Sequence, residues 1–226
     1  MSTEPIPTLE LDDIQSGAVR PRPAPYAATY ILLRIDDRHA GRELMRRLRA
    51  VVTSAANPTS PLADTFVSVA LTYQGLMALG VPQVSLDSFA WEFQRGMASR
   101  ANQLGDTGES GPDYWEAPLG SKEVHVVVAA VSPSAEKLEA SLERARQTYR
   151  QFQGVTAIWR QDCYSLETET EHFGFRDGIS HPAIEGTGIP CTNTQELPLK
   201  AGEFHLGYPD EMGGVQKLEP ELLGRN

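Results

Sequence analysis

Tyr26 to Ile35 reads YAATYILLRI, and Glu123 to Val131 reads EVHVVVAAV. The first stretch is rich in β-branched and aromatic residues, with Ile31, Leu33 and Ile35 on alternate positions, which predicts a strand with one well-buried face. The second is almost wholly apolar, which predicts a central strand. Between them, Leu44, Leu48, Val51 and Val52 recur at helical spacing in an Arg-rich segment, so a helix with an apolar stripe and a solvated basic face is expected. TFVSVALTY, residues 65–73, reads as another strand. Beyond Val131, Ser132 and Pro133 suit an N-cap and first helical turn, ahead of Leu138, Leu142, Ala145 and Tyr149 on one helical face. GVTAIWRQ, residues 154–161, reads as a fourth strand. The order β-α-β-β-α-β is that of a ferredoxin-like α+β unit with an antiparallel sheet under two helices.

Three segments fall outside this pattern. Residues 1–25 carry Pro5, Pro7, Pro21, Pro23 and Pro25, whose fixed φ angles and missing donors suit a Pro-rich tail or an extended lead-in. Residues 26–165 form the expected ferredoxin-like domain, with a helical insertion at about 74–121 that is too long for a hairpin loop. Trp91, Phe93 and Trp115 in that insertion predict that it packs as a subdomain. Residues 166–226 are rich in Gly and Pro and read as mostly loop, the kind of segment on which sites are carried.

The totals exclude some functions. The 226 residues are 40% hydrophobic, with a formal net charge of -10 and a pI near 5.0. That suits a packed globular chain and argues against nucleic acid or an anionic membrane surface, both of which need clustered cations. No stretch is apolar enough for a membrane span, and MSTEPIPTLELDD lacks the basic and apolar regions of a signal peptide, so a cytoplasmic protein is expected. Cys163 and Cys191 have no zinc-like spacing and read as free thiols. Asp12 with Asp13, Asp36 with Asp37, and Glu167, Glu169 and Glu171 read as solvated carboxylate faces, without the pattern of a calcium loop.

Within the loop-rich segment, Gly174, Asp177 and Gly178 form G-x-x-D-G. Taken alone, Asp-Gly is a turn signal. The full string EHFGFRDGISHPAIEG, residues 171–186, resembles the signature segment of the dye-decolorizing-type heme peroxidases. ALTYQGLMALGVP (70–82), FQRGMASRANQLGD (93–106), WEAPLG (115–120) and AGEFHLGYPDE (201–211) are similar to its longer members, in the family's order. The resemblance implies one ferredoxin-like half of a dimeric α+β barrel-type peroxidase that binds heme b and uses hydrogen peroxide to oxidise dyes or phenolic compounds, its small aromatic reductants.

It further implies that Asp177 is the distal acid/base, moving a proton from the inner to the outer oxygen of peroxide. Phe175, Gly178, Ile179, Ser180 and His181 would lie at the porphyrin. A carboxylate can play both roles when its pKa suits the working pH, and glycine lets backbone approach a flat macrocycle. The family's proximal histidine and distal arginine come well after this motif, and no position here matches either; Arg176 is not that arginine. His39, His125, His172, His181 and His205 are the histidines present. His125 reads as a core residue, His39 as the start of an exposed turn, and His181 as a surface or turn-packing residue, with a distal hydrogen-bonding role as the alternative. Two functions are therefore in view: a peroxidase polypeptide completed by a C-terminal half, and a non-catalytic ferredoxin-like module acting in homo-oligomerisation or partner binding.

Overall fold

A computed structural model describes residues 9–56, 65–166, 168, 170–176, 181–190 and 195–216. Four strands, β1 (Ala27–Ile35), β2 (Phe66–Leu71), β3 (Val126–Ser132) and β4 (Val155–Tyr164), form one sheet in the order β2-β3-β1-β4 with every pairing antiparallel. Helices α1 (Arg38–Leu48) and α6 (Ala135–Arg150) cover one face. This is the expected ferredoxin-like arrangement, and β3 is an interior strand as its apolar run requires. In the register, Ile31 lies opposite Val128 and Leu33 opposite Val126. These side chains meet Leu44 and Leu48 of α1 and Leu138, Leu142 and Ala145 of α6 in the main core. Each fully buried leucine contributes about 1.5–3 kcal/mol relative to exposure.

Several boundaries differ from the sequence reading. α1 stops at Leu48, because the chain turns there and Thr53 donates its backbone N–H to Val67 O of β2; Val51 still packs on the core from the turn. Ser132 is not the cap of α6. It is the last residue of β3, fully buried, opposite Ala27 and 2.9 Å from the Thr65 hydroxyl. Ser134 is the N-cap instead, its Oγ accepting from Lys137 N. β4 runs on to Tyr164, so Cys163 lies within the strand rather than after it, as a free thiol. His39 belongs to the first turn of α1, and Tyr73 to the first turn of α2 rather than to the preceding strand.

The insertion contains α2 (Tyr73–Ala78), α3 (Gln83–Asp87), α4 (Trp91–Arg95) and α5 (Ala101–Leu104). It is tied to the sheet by close backbone contact: a Cβ on Gly75 would stand 2.0 Å from the carbonyl oxygen of His125. Phe93 packs edge-on to Tyr73 at 6.2 Å and against Phe89 at 5.0 Å, while Trp115 Nε1 donates to Ser110 O. Trp91 lies beneath both Arg95 and Arg100, each 5.6 Å from the ring centre, an arrangement favourable to a half-exposed indole.

The described part of the Pro-rich lead-in is packed. Leu9 and Val19 are buried with Ala55, Ile184 and Ala201 in a second core. A short 3-10 turn at Ser16–Ala18 follows Gln15, whose side-chain amide accepts from Val69 N at 2.8 Å and donates to Val69 O at 2.9 Å. Among the described residues no helix is long and apolar enough to cross a membrane.

Candidate functional site

The signature loop leaves the sheet at a fixed point. Just past β4, Ser165 N donates to Tyr26 O and Ser165 Oγ accepts from Tyr26 N, closing the end of the β1–β4 pair. The chain then makes a tight hairpin through the Thr170–Arg176 bridge. Glu171 organises it: Oε2 accepts from Phe173 N and Oε1 from Phe175 N, both at 2.9 Å, while Glu171 N donates to Phe175 O. Gly174 takes a φ of +91°, which the turn requires and which glycine adopts without strain. Glu171 is therefore a structural carboxylate, where the sequence suggested a solvated one. Its carboxylate satisfies amides that the turn leaves without backbone partners.

This hairpin holds Phe173 and Phe175 in solvent, 87% and 74% exposed. Asp177, Gly178, Ile179 and Ser180 lie outside the described residues, as do Glu167, Glu169 and Cys191. The chain is fixed again just beyond them. Ile184 is buried in the second core and pairs with Leu199, whose N–H donates to Ala183 O while Glu185 N donates to Leu199 O. Lys200 pairs with Glu185 at 3.0 Å. The described flanks on both sides of the motif are thus anchored.

The histidines divide by environment. His125 Nδ1 accepts from Ile35 N at 3.0 Å, a structural role that leaves it no ligand duty through that nitrogen. His39 and His172 are exposed. His181 and His205 each bury Nε2 without a hydrogen-bond partner among the described residues. Burial holds the His205 imidazole below its ordinary value, because desolvation disfavours the charged ring. Sequence reasoning gave no reason to single out His205, since its environment is made by residues distant in the chain.

The heme b that the resemblance implies can be tested against these groups. The exposed rings of Phe173 and Phe175 and the partnerless His181 Nε2 suit a wall beside a flat aromatic group with a polar edge. Among the described residues no three or more His, Cys, Asp or Glu side chains cluster as a metal site built from side chains alone.

A separate feature escaped the sequence reading. A cavity of about 550 Å³ lies between the last turns of α6 and strand β4, with Arg146, Arg150 and Arg160 on its wall. Glu139 binds Arg146 at 2.7 Å and Arg160 at 2.6 Å. These bonds, that from Arg146 foremost, hold the Glu139 carboxyl below its ordinary value. Asp162 is also lowered: burial alone would raise it, but hydrogen bonds from Thr29 and Arg160 outweigh that. The i, i+4 spacing of Arg146 and Arg150 is visible in the sequence, but the approach of Arg160 depends on tertiary packing.

Comparison with known proteins places the chain. The family described as the DyP dimeric alpha+beta barrel domain matches residues 26–159. Peroxidase 2 of Mycetinis scorodonius is 32% identical over 158 residues, covering 65% of this chain and 28% of that protein. A dye-decolorizing peroxidase of Mycena epipterygia is 31% identical over 155 residues, covering 66% of this chain and 27% of the relative. Among solved structures, an ancestral D-type dye decolorizing peroxidase superposes with a TM-score of 0.73 at 25% identity, over 89% of this chain and 45% of that one. A dye-decolorizing peroxidase in complex with 2,6-dimethoxyphenol gives 0.70 at 23% identity, over 92% of this chain and 47% of that one, a likeness of fold. The chain spans less than half the length of each.

Proposed function

This chain belongs to the dye-decolorizing peroxidase family, and we propose that it supplies the distal side of a heme-dependent peroxidase that oxidises dyes or phenolic compounds with hydrogen peroxide. The observation that carries the proposal is the signature loop, cinched by Glu171 on one side and anchored through Ile184 and Leu199 on the other. Fixed flanks of this kind lower the cost of orienting a catalytic group carried between them.

In this reading Asp177 would take a proton from one oxygen of hydrogen peroxide and return it to the other, so that water can leave. Heme, when bound, supplies the redox-active iron for that reduction. Phe175, Gly178, Ile179, Ser180 and His181 are the residues that would hold the heme on this side. The family's iron-binding histidine and distal arginine would come from a complementing C-terminal half.

The test is a hemin titration of the chain with and without the C-terminal half of the Mycetinis scorodonius relative, followed by peroxide-dependent bleaching of an anthraquinone dye. A stoichiometric Soret band and turnover are expected only with both halves present. Asp177→Ala should then lower turnover about 100-fold or more while leaving the band, the usual scale for losing a general acid/base. Unchanged turnover in Asp177→Ala, or no heme uptake with both halves, would overturn the proposal.

The bare face of the sheet favours a second reading, a non-catalytic module that self-associates or binds a partner. Tyr30 stands 42% exposed in the middle of β1, on the side away from the helices. Stable heme-free dimers in sedimentation, unaffected by an added second half, would favour that module.

A further inference from the structure

We propose that the cleft between α6 and β4 is a binding site for a small aromatic carboxylate, separate from the signature loop. The site is built from two elements. Arg146, Tyr149 and Arg150 share one face of the last turns of α6, at i, i+3 and i+4. Opposite them, β4 carries an irregularity in its pairing with β1: Trp159 lies across from Leu32, yet Ala157 lies across from Leu33, leaving Ile158 as an additional residue. Such a bulge bends a strand and redirects its side chains. Here it coincides with a cavity of about 550 Å³, within the size range of small-molecule pockets.

The wall has one sign of charge. Arg146, Arg150 and Arg160 are its charged residues; the remainder is Tyr149, Trp159, Ile31, Ala157 and Ile158. Three cations around one cavity stand out in a chain of net charge -10. Glu139, Glu143 and Asp162, which pair with Arg146 and Arg160, are not among the lining residues. They fix the direction of two guanidinium groups and leave further N–H donors for another acceptor, since each guanidinium carries five. Arg150 is exposed and makes no ion pair among the described residues, so its charge is unspent.

The ligand class follows from this lining. Guanidinium groups recognise planar carboxylates through paired hydrogen bonds. The floor of Ile31, Ala157 and Ile158, with Tyr149 beside it, favours an apolar ring over a small hydrated anion. The last-turn carbonyls of α6 oppose a negative charge at the helix end, which places the carboxylate on the guanidinium side. No bond is made or broken; the site binds and releases.

The test is calorimetric titration of the 226-residue chain with 2-naphthoate, beside neutral 2-naphthamide and inorganic phosphate. Saturable, salt-sensitive binding of naphthoate alone is expected. Arg150→Gln should weaken it about tenfold, the loss of one charge-assisted hydrogen bond, and Arg150→Lys should restore part of it. Arg150 sits exposed on the final turn, so folding should be unaffected, which circular dichroism would check. Equal binding of the amide or of phosphate, an unchanged Arg150→Gln, or no naphthoate binding would each overturn the site.

Discussion

His205 shows how one buried imidazole sets a pH dependence for the whole chain. Its Nε2 is buried without a partner among the described residues, and burial lowers its proton affinity below the ordinary value of 6.5. The unfolded chain therefore binds a proton at higher pH than the folded one does. Linkage gives the sign: the contribution to stability is fully present above pH 6.5 and is lost as pH falls through the lower, folded value. Thermal unfolding at pH 7.5 and at pH 5.5 should show wild type losing stability on acidification, and His205→Leu losing less of it. Identical slopes in the two proteins would show that another group carries the effect. Glu171 makes the complementary point at the same scale. Its side chain has the composition of a solvated face, but its two oxygens each receive a backbone N–H across the hairpin.

At the scale of elements, β2 poses the problem of a strand at the edge of a sheet, with one side unpaired. An exposed edge invites pairing with another chain. Gln15 answers it with a side chain: its amide supplies both a donor and an acceptor to Val69, standing in for a neighbouring strand over one residue. Gln15 also bridges to Ser54, and Ser16 N donates to Thr53 O, so the lead-in follows β2 with backbone contacts as well. Gln15→Ala removes two hydrogen bonds and should cost about 1–3 kcal/mol in urea unfolding. The same variant should self-associate more readily by light scattering, because the edge at Val69 is then bare. A midpoint equal to that of wild type would mean that water replaces the amide without penalty.

This device was not legible in the sequence, where five prolines made the segment read as a tail or lead-in. The strands were legible for a simple reason. Period-two alternation in β1 and the apolar run of β3 are direct consequences of which faces are buried. The start of α6 was misread because Ser132 and Ser134 are equally good caps in isolation. The choice was made by the ladder to Ala27 and the Thr65 hydroxyl, both far away in sequence. For the candidate site, the segment 171–186 could be found from its residues, whereas the cavity at Arg146, Arg150 and Arg160 is created by packing a helix on a bulged strand.

At the scale of the molecule, the two faces of the sheet are treated differently. α1 and α6 cover one. On the other, the lead-in reaches β2, where a Cβ on Gly17 would stand 3.1 Å from Ser68 Oγ, and the insertion reaches β4, where Trp159 Nε1 donates to Glu116. Between these two covers lie Tyr30 and, opposite it in the register, Ala129, flanked by half-buried Val127 and Val131. A strip of this kind, with backbone hydrogen bonds satisfied and side chains half exposed, leaves contiguous apolar surface in contact with water. The chain should bind the hydrophobic dye ANS in its folded state. Tyr30→Glu should reduce that fluorescence more than Phe173→Ser, because Tyr30 sits within a continuous apolar strip and Phe173 stands on an isolated hairpin tip. The substitution should leave the unfolding free energy in urea within about 0.5 kcal/mol of wild type, as expected for an exposed position. ANS binding that ignores Tyr30→Glu but falls with Phe173→Ser would move the exposed apolar surface from the sheet to the signature loop; a large loss of stability in Tyr30→Glu would show the ring to be part of the core.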